Sequence, residues 1–450
     1  MKTTPLSRRG LLQGALAAAT VTILPSRVFG ANDRVNLAGI GCGGKGGGDL
    51  DDASRCGANI VALCDVDDRA AAGSLKRWPN AKRYKDFRKM LDEMDKEIDA
   101  VTVSTPDHMH YPGAMCAMLH GKHAFVQKPM THNVWEAKRL AQVAREKKLA
   151  SLMGIQGHAN EGPRLLSEWL QAGLIGNVTE VHYCTDRPGG WWPQGGVERP
   201  KDTPPAPKEL DWDLWLGVAP ERPYHPCYLP IKWRGWWDFG CGALGDIGCH
   251  VMDAAFWVLN LGEPLSIEAE VSELREETGP KWSIITYQFP ARGDKPPVKV
   301  MWHDGGKQPP RPKDLEPDRK LPNETWAVLY GEKGTILQDF YCSSVRIIPE
   351  AKHRELDPTK VPKTLPRPPK GHAPHMQEFI RACKGGEPGG ANFEYAAALT
   401  TMVLLGNLAV RTGKKIEWDA KTQKATNVPE VNKYLSRVPR KGWEDLYKGL

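Results

Sequence analysis

Short apolar runs alternating with amphipathic stretches dominate the first third of the chain. Residues 35–40 carry Val35, Leu37, Ala38 and Ile40, enough for a buried strand. Residues 59–65 (NIVALCD), 98–104 (IDAVTVS), 124–127 and 152–156 repeat that texture. Between them, residues 112–119 read as a helix, and 134–147 place Val134, Ala137, Leu140, Ala141 and Ala144 at helical spacing. Buried strands separated by crossover helices predict an α/β unit with a doubly wound parallel sheet over residues 31–156.

Beyond Gln156 the pattern changes. A helix over 162–172 stops at Gly173, a strand follows at 178–185, and residues 187–239 form a long aromatic, proline-rich passage. Strand-like runs then come in series at 265–274, 282–289, 298–302, 325–330, 335–339 and 344–348, with no helices between them. That order predicts an α+β domain over 157–374 with an open, mainly antiparallel sheet. Residues 308–322 and 358–374 are proline-rich loops. Helices at 375–383 and 394–412, then a short tail, make residues 375–450 a C-terminal part that packs back on the body.

Glycines interrupt the first strand in a chemically specific way. Residues 35–49 read VNLAGIGCGGKGGGD, an apolar run, a glycine turn and a helix from about Asp49. This is the dinucleotide-binding pattern, in which glycines allow a tight turn, close approach of a pyrophosphate and close helix packing. Two registers fit. Gly41-Gly43-Gly46, with Gly44 inside the turn, keeps the strand intact and is preferred over Gly39-Gly41-Gly44. Asp65 ends the second strand near the spacing at which a carboxylate meets the adenosine ribose. Its neighbours Asp67 and Asp68 disfavour a 2′-phosphate, so NAD is expected over NADP, although Arg69 leaves NADP open.

Composition adds an address. The chain has 450 residues, 40% hydrophobic and 26% charged, as in ordinary globular proteins. Lys2, Arg8, Arg9 and Arg27 supply much of the +7 net charge from the first thirty residues. No dense basic stripe remains, so nucleic acid is not an expected partner. Residues 7–13 (SRRGLLQ) pair two arginines ahead of a weakly apolar run, and Val28 and Gly30 suit cleavage after Gly30. Residues 1–30 therefore read as a twin-arginine signal peptide, with export to the periplasm or beyond. No second segment looks apolar enough to span a bilayer. The ten cysteines show no CxxC and no zinc spacing, and no metal site is expected.

Two clusters could carry chemistry. Lys128 follows a strand end in VQKP, where a lysine can exchange a proton with a hydroxyl; a surface turn is the structural alternative. In GDIGCHVMD, a helix over 247–259 would align Asp246, His250 and Asp253 on one face, with Asp246 orienting the imidazole. The alternative there is an N-capping Asp246 over a core histidine. Between the clusters lies an aromatic field, from which Trp192, Tyr224 and Trp237, with His225 and Arg234, are candidate sugar contacts.

The glycine turn, TPDHMH (105–110), the lysine-proline pair and GDIGCHVMD together resemble the Gfo/Idh/MocA family of sugar and inositol oxidoreductases, over about residues 35–412. The resemblance implies an N-terminal Rossmann domain, a second, sheet-bearing domain that often mediates homo-oligomers, and catalytic roles for Lys128, Asp246 and His250. It also implies that Thr105, Pro106, His110 and Gln156 surround the nicotinamide end of a bound NAD. Gln127 stands where the family has glutamate, which leaves the proton route open. DWDLWLG, RPYHP and WRGWWDFG look like a secreted sub-branch. The expected activity is hydride transfer between NAD(P) and a carbohydrate or polyol alcohol. The alternative is glycoside cleavage through transient oxidation, with a tightly bound cofactor recycled in place. No stable membrane association is expected after processing.

Overall fold

Six strands build the first sheet: β1 (Asn36–Ile40), β2 (Asn59–Cys64), β3 (Lys82–Tyr84), β4 (Ala100–Val103), β5 (His123–Val126) and β6 (Ser151–Met153). Their spatial order is β3-β2-β1-β4-β5-β6, and every neighbouring pair is parallel. The computed structural model describes residues 34–448, so the expected signal peptide lies outside the described residues. Helices α1 (Lys45–Arg55), α2 (Asp68–Arg77), α3 (Phe87–Glu93), α4 (His110–Leu119) and α5 (Val134–Glu146) make the connections. Asp67 and Asn133 cap α2 and α5 by accepting from the Arg69 and Glu136 N–H groups. Strand order reverses between β1 and β4, so the turns after these two strands open on one crevice.

Helix α1 begins at Lys45, not near Asp49. Three consecutive glycines weaken helix propensity, but packing overrides it here. A Cβ at Gly46 would overlap the Gly41 carbonyl oxygen, so only glycine lets the helix sit this close to β1.

After α6 (Glu161–Gln171) comes a nine-stranded open sheet. Its strands are β7 (Val178–Cys184), β8 (Ser266–Val271), β9 (Ser283–Phe289), β10 (Val298–His303), β11 (Trp326–Gly331), β12 (Thr335–Asp339), β13 (Val345–Ile348), β14 (Ile416–Asp419) and β15 (Lys424–Ala425). They lie in the order β13-β12-β11-β7-β10-β9-β8-β14-β15. Only β7 and β10 pair in parallel. Alternation along β9 buries Ile285, Tyr287 and Phe289 while Gln288 stays exposed, the mark of a sheet covered on one face.

The helix Phe393–Thr412 corrects one expectation: it is long and apolar enough to cross a membrane. It is a core helix here, with 83% of its most apolar window buried inside the fold. The C-terminal tail also docks. Trp443 and Tyr447 are buried, and the Tyr447 hydroxyl donates to Glu136 Oε1 at 2.7 Å. All ten cysteines are free thiols.

Candidate active site

A cavity of about 1070 Å³ runs from the glycine turn to the π-helical turn Leu244–Gly248. Gly41, Gly43, Gly44 and Asp65 line one end, and Thr105, Pro106, Lys128, Gln156, Asp246 and His250 the other. Gly41 has φ +78°, and a Cβ there would sit 2.7 Å from the Ser104 oxygen. A Cβ on Gly43 would strike the Ala70 oxygen of α2 at 2.8 Å, whereas one on Gly44 would meet nothing within 4 Å. Gly44 is thus the glycine that keeps the cradle open in front of the α1 N-terminus, where helix N–H groups favour an anion. Gly46 packs α1 on the turn and does not line the cavity.

Asp65 Oδ2 accepts from the Cys42 and Gly43 N–H groups at 2.7 and 3.2 Å, and Oδ1 from Asp67 N–H at 3.0 Å. The carboxylate therefore staples the glycine turn to β2 and keeps capacity for a further donor. Burial pushes its acidity down, so its pKa rises against those N–H contacts. Arg69 is held by Asp67 through Nε at 2.9 Å and Nη2 at 2.6 Å. At the other end, Thr105 Oγ1 and Gln156 Oε1 are buried without a hydrogen-bond partner. An open glycine cradle, an acid at the end of β2 and two orphaned polar atoms fit a dinucleotide.

Lys128 lies just past β5. Its Nζ donates to Asp246 Oδ1 at 2.6 Å and to the Asp246 main-chain oxygen at 2.7 Å. Arg234 Nε donates to the same Oδ1 at 2.9 Å. Burial acts to raise the Asp246 pKa, but the two cations prevail and hold it well below the usual carboxylate range. His250 is pushed the opposite way: burial, then Lys128, drive its pKa well below the ordinary imidazole value, outweighing Asp246. Its Nδ1 has no partner, and Phe340 and Tyr341 pack edge-on at 5.5 and 5.2 Å between ring centroids. The site thus pairs a fixed ammonium with a neutral imidazole.

Several expectations need correction. The continuous helix over 247–259 is absent: the π-helical turn is followed by short helices at Cys249–Val251 and Asp253–Val258. Asp246 consequently faces Lys128 and Arg234 and makes no hydrogen bond to His250, while Asp253 binds His158 Nδ1 at 2.9 Å and the Tyr395 hydroxyl at 2.6 Å. His110 lines the cavity, yet its ring nitrogens lie 2.7 Å from the Pro129 oxygen and 2.9 Å from the Thr105 oxygen. It braces the loops after β4 and β5. Burial pushes its pKa down to about 4.

Of the candidate sugar contacts, Trp192, Tyr224 and Arg234 line the cavity. His225 does not; it accepts from Cys227 N–H and lies 3.4 Å from Asp202. Trp237 borders a different cavity. Much of the aromatic field is core: Trp215, Tyr228, Trp233, Trp236 and Phe239 form a separate buried cluster, of which Trp215 and Trp233 also reach the cavity wall.

Three lining residues escaped the sequence reading. Asp107 sits inside TPDHMH and accepts from Cys241 N–H at 3.0 Å; burial, reinforced by Asp246 and opposed by Arg234 and Lys128, raises its pKa to about 7. Lys45, the first residue of α1, pairs at 2.6 Å with the buried Asp49, which also accepts from Ser104 and Gln127. Tyr341 carries no sequence signal; its neighbours in the chain are unremarkable for chemistry.

Residues 34–155 match the model of the oxidoreductase family's NAD-binding Rossmann fold, and residues 169–296 match that family's C-terminal alpha/beta domain. Levoglucosan dehydrogenase of Pseudarthrobacter phenanthrenivorans is 24% identical over 212 residues, 47% of this chain and 44% of that protein. A glycosyl hydrolase family 109 protein of Shewanella sp. ANA-3 is 36% identical over 122 residues, 25% of this chain and 26% of that protein. The chain spans about half the length, or less, of the curated relatives it matches. The WlbA dehydrogenase structure from Bordetella pertussis, in complex with NADH and UDP-GlcNAcA, superposes with a TM-score of 0.60 at 16% identity, over 86% of this chain and 99% of that one. With its two matched domains covering more than half of its length, the chain belongs to the Gfo/Idh/MocA oxidoreductase family.

Proposed function

We propose that this protein transfers hydride between a secondary alcohol of a carbohydrate or polyol and NAD. One observation carries the reading: a neutral, unpaired His250 and an anchored Lys128 face one cavity with the glycine cradle. The names of the matched relatives, levoglucosan dehydrogenase among them, support it. The turn from Gly41 to Gly46 would hold the pyrophosphate, Asp65 the adenosine ribose, and Thr105, Pro106 and Gln156 would border the nicotinamide end. Arg69, clamped by Asp67, supports NAD over NADP. Bound NAD supplies the hydride acceptor.

The chain's own residues handle the proton and the oxygen. Lys128 commits two N–H donors to Asp246 and keeps a third for a substrate oxygen, which eases negative charge there. His250, held neutral, accepts the hydroxyl proton as the carbon is oxidised. Asp246 fixes the two cations, and Arg234, stacked over Trp233 at 4.3 Å, offers its remaining N–H groups to neighbouring hydroxyls.

A second reading is glycoside cleavage through transient oxidation, supported by the glycosyl hydrolase family 109 relative. Oxidising a ring hydroxyl acidifies the adjacent C–H, so a glycosidic substituent leaves by elimination and the ketone is then reduced again. One experiment separates the two: a panel of free sugars, polyols and aryl glycosides, read for reduced nicotinamide and for released aglycone. Net cofactor reduction supports the dehydrogenase; aglycone release without it supports cleavage with a tightly held, recycled cofactor. Neither signal from any substrate would remove both.

The paired Arg8 and Arg9 support export by the twin-arginine route, which carries folded proteins with cofactor aboard. Replacing both with lysine should keep the precursor in the cytoplasm, and undiminished export would rule the route out. The partly exposed outer face of the nine-stranded sheet, with Ile284, Thr286 and Met301, supports a homo-oligomer, which light scattering would test.

A further inference from the structure

A second, smaller cavity of about 280 Å³ is walled by residues 237–241, the helix Phe393–Thr412 and residues 434–438. Two guanidinium groups enter it, and their partners differ. Arg437 donates to His132 Nδ1, and its Nε lies 3.4 Å from Glu136 Oε1. Arg411 makes no hydrogen bond or ion pair with any described residue. Its guanidinium instead sits over two aromatic faces, 5.3 Å from the centre of Trp237 and 4.3 Å from that of Tyr434.

The carboxylates nearby are already committed. Asp238, on the cavity wall, is held by Arg222. Glu136 faces Arg437 and accepts from Tyr447. Among the described residues the cavity therefore carries one cation in excess. It also holds a further idle donor, the buried Trp237 Nε1. Burial pushes the Arg411 pKa below its ordinary value, with Tyr434 and Asp238 acting only in part against it.

Arg411 is only partly exposed, and a cation largely withdrawn from water with no carboxylate partner among the described residues is costly unless a ligand completes the pair. The guanidinium fork matches a carboxylate through two parallel hydrogen bonds. Leu404, Leu408 and Val218 give the lining an apolar part beside the polar Asn133, Asn407 and Ser436, which suits an organic body better than a fully hydrated inorganic anion. We propose that this cavity binds a small organic carboxylate, its charged group on Arg411 and its body against Trp237. The site is separate from the Lys128–Asp246 cluster and independent of the reaction assigned to it.

The test is calorimetric titration of the full chain with benzoate at low ionic strength, and with benzyl alcohol as the neutral counterpart. Benzoate should bind saturably, one per chain, and roughly tenfold or more weakly to Arg411→Met. Benzyl alcohol should bind far more weakly. Arg234→Met, which alters the catalytic cavity, should leave benzoate affinity unchanged. Absence of binding, equal affinity for wild type and Arg411→Met, or loss on Arg234→Met instead would each overturn the proposal. Thermal unfolding gives an independent reading. In carboxylate-free buffer Arg411→Met should melt at or above the wild type, and benzoate should raise the melting temperature of the wild type alone. A variant that melts lower would make Arg411 a structural residue and refute the site.

Discussion

Lys128 and Asp246 stand 118 residues apart in sequence, yet the lysine ammonium donates to both the side-chain and main-chain oxygens of Asp246. The contact ties the end of β5 to the π-helical turn, so the parallel sheet supplies a cation and the following domain its partner. Both side chains are largely buried, at 13% and 14% exposure, so solvent does little to soften their separation.

Removing one partner of such a buried pair typically costs about 3–5 kcal/mol. Asp246→Ala strands two cations, Lys128 and Arg234, and is expected to destabilise the fold by an amount of that order. Lys128→Met in the same background should recover part of the loss, because one stranded charge disappears. Urea unfolding of the single and double variants measures this. Additive losses would show that the two residues are not coupled.

The glycine turn makes a contrast between adjacent residues. Gly43→Val should damage the fold itself, because its Cβ meets the Ala70 backbone at 2.8 Å. Gly44 has φ +49° and ψ −116°, outside the left-handed helical region and open to glycine above all, but with free space in front, so Gly44→Ala should strain the turn moderately and place its methyl in the cradle without a clash. NAD affinity, followed by nucleotide fluorescence, should drop about tenfold or more in Gly44→Ala. The stability loss from backbone strain should be about 1–3 kcal/mol, well short of the loss in Gly43→Val. Unchanged affinity would place the pyrophosphate elsewhere.

Local pattern anticipated most of both sheets but not the edge strand β3 of the first or β14 and β15 at one edge of the second, which are short and carry few apolar residues. The apolar run of β1, the glycines and Asp65 are all legible because their spacing is set by strand and helix periods. What the pattern could not carry is the partner of each polar group. GDIGCHVMD has helical spacing, and a regular helix would align Asp246 with His250. The π-helical turn widens that turn of helix and sends Asp246 to Lys128 instead, while Asp253 finds His158, 95 residues away. Gln127 tells the same story. Its amide donates to Asp49 on α1 at 2.9 Å, so the carboxylate missing at position 127 has a counterpart there, in an element read as starting only at that residue.

Asp107 should leave a mark on the pH dependence of stability. Its carboxyl titrates near 7 when folded, against about 4 when unfolded. Between those values the unfolded chain holds fewer protons than the folded one, so stability falls as pH rises through that window and levels off above it. The slope from this group is at most about 1.4 kcal/mol per pH unit. Asp107→Asn keeps an acceptor for Cys241 N–H and removes the titration. The variant should therefore lose less stability between about pH 4 and pH 7, as measured by chemical unfolding across that range. Parallel curves for wild type and variant would place the Asp107 titration outside the window.

His250 offers the sharpest test of the chemistry. Burial and Lys128 keep its imidazole neutral, its Nδ1 has no partner, and no carboxylate hydrogen-bonds to it. In the proposed reaction its basicity would arise in the bound complex, with the oxygen that loses its proton between imidazole and ammonium. Removing a positioned general base typically costs about 10²–10⁴-fold in rate. His250→Ala should lose turnover by that order and keep NAD affinity, since the glycine cradle and Asp65 lie at the other end of the cavity. Lys128→Met should show a comparable loss, and the double variant much less than the product of the two, because both groups act on one oxygen. Asp246→Asn should also slow turnover, since it loosens Lys128 and removes the carboxylate charge that supports the basicity of His250. Single-turnover rates on each variant, with cofactor affinity measured separately, decide the matter. Near wild-type turnover in His250→Ala would make the histidine a packing residue of the Phe340–Tyr341 cluster and move the base elsewhere in the cavity, with Asp107 the next group to replace.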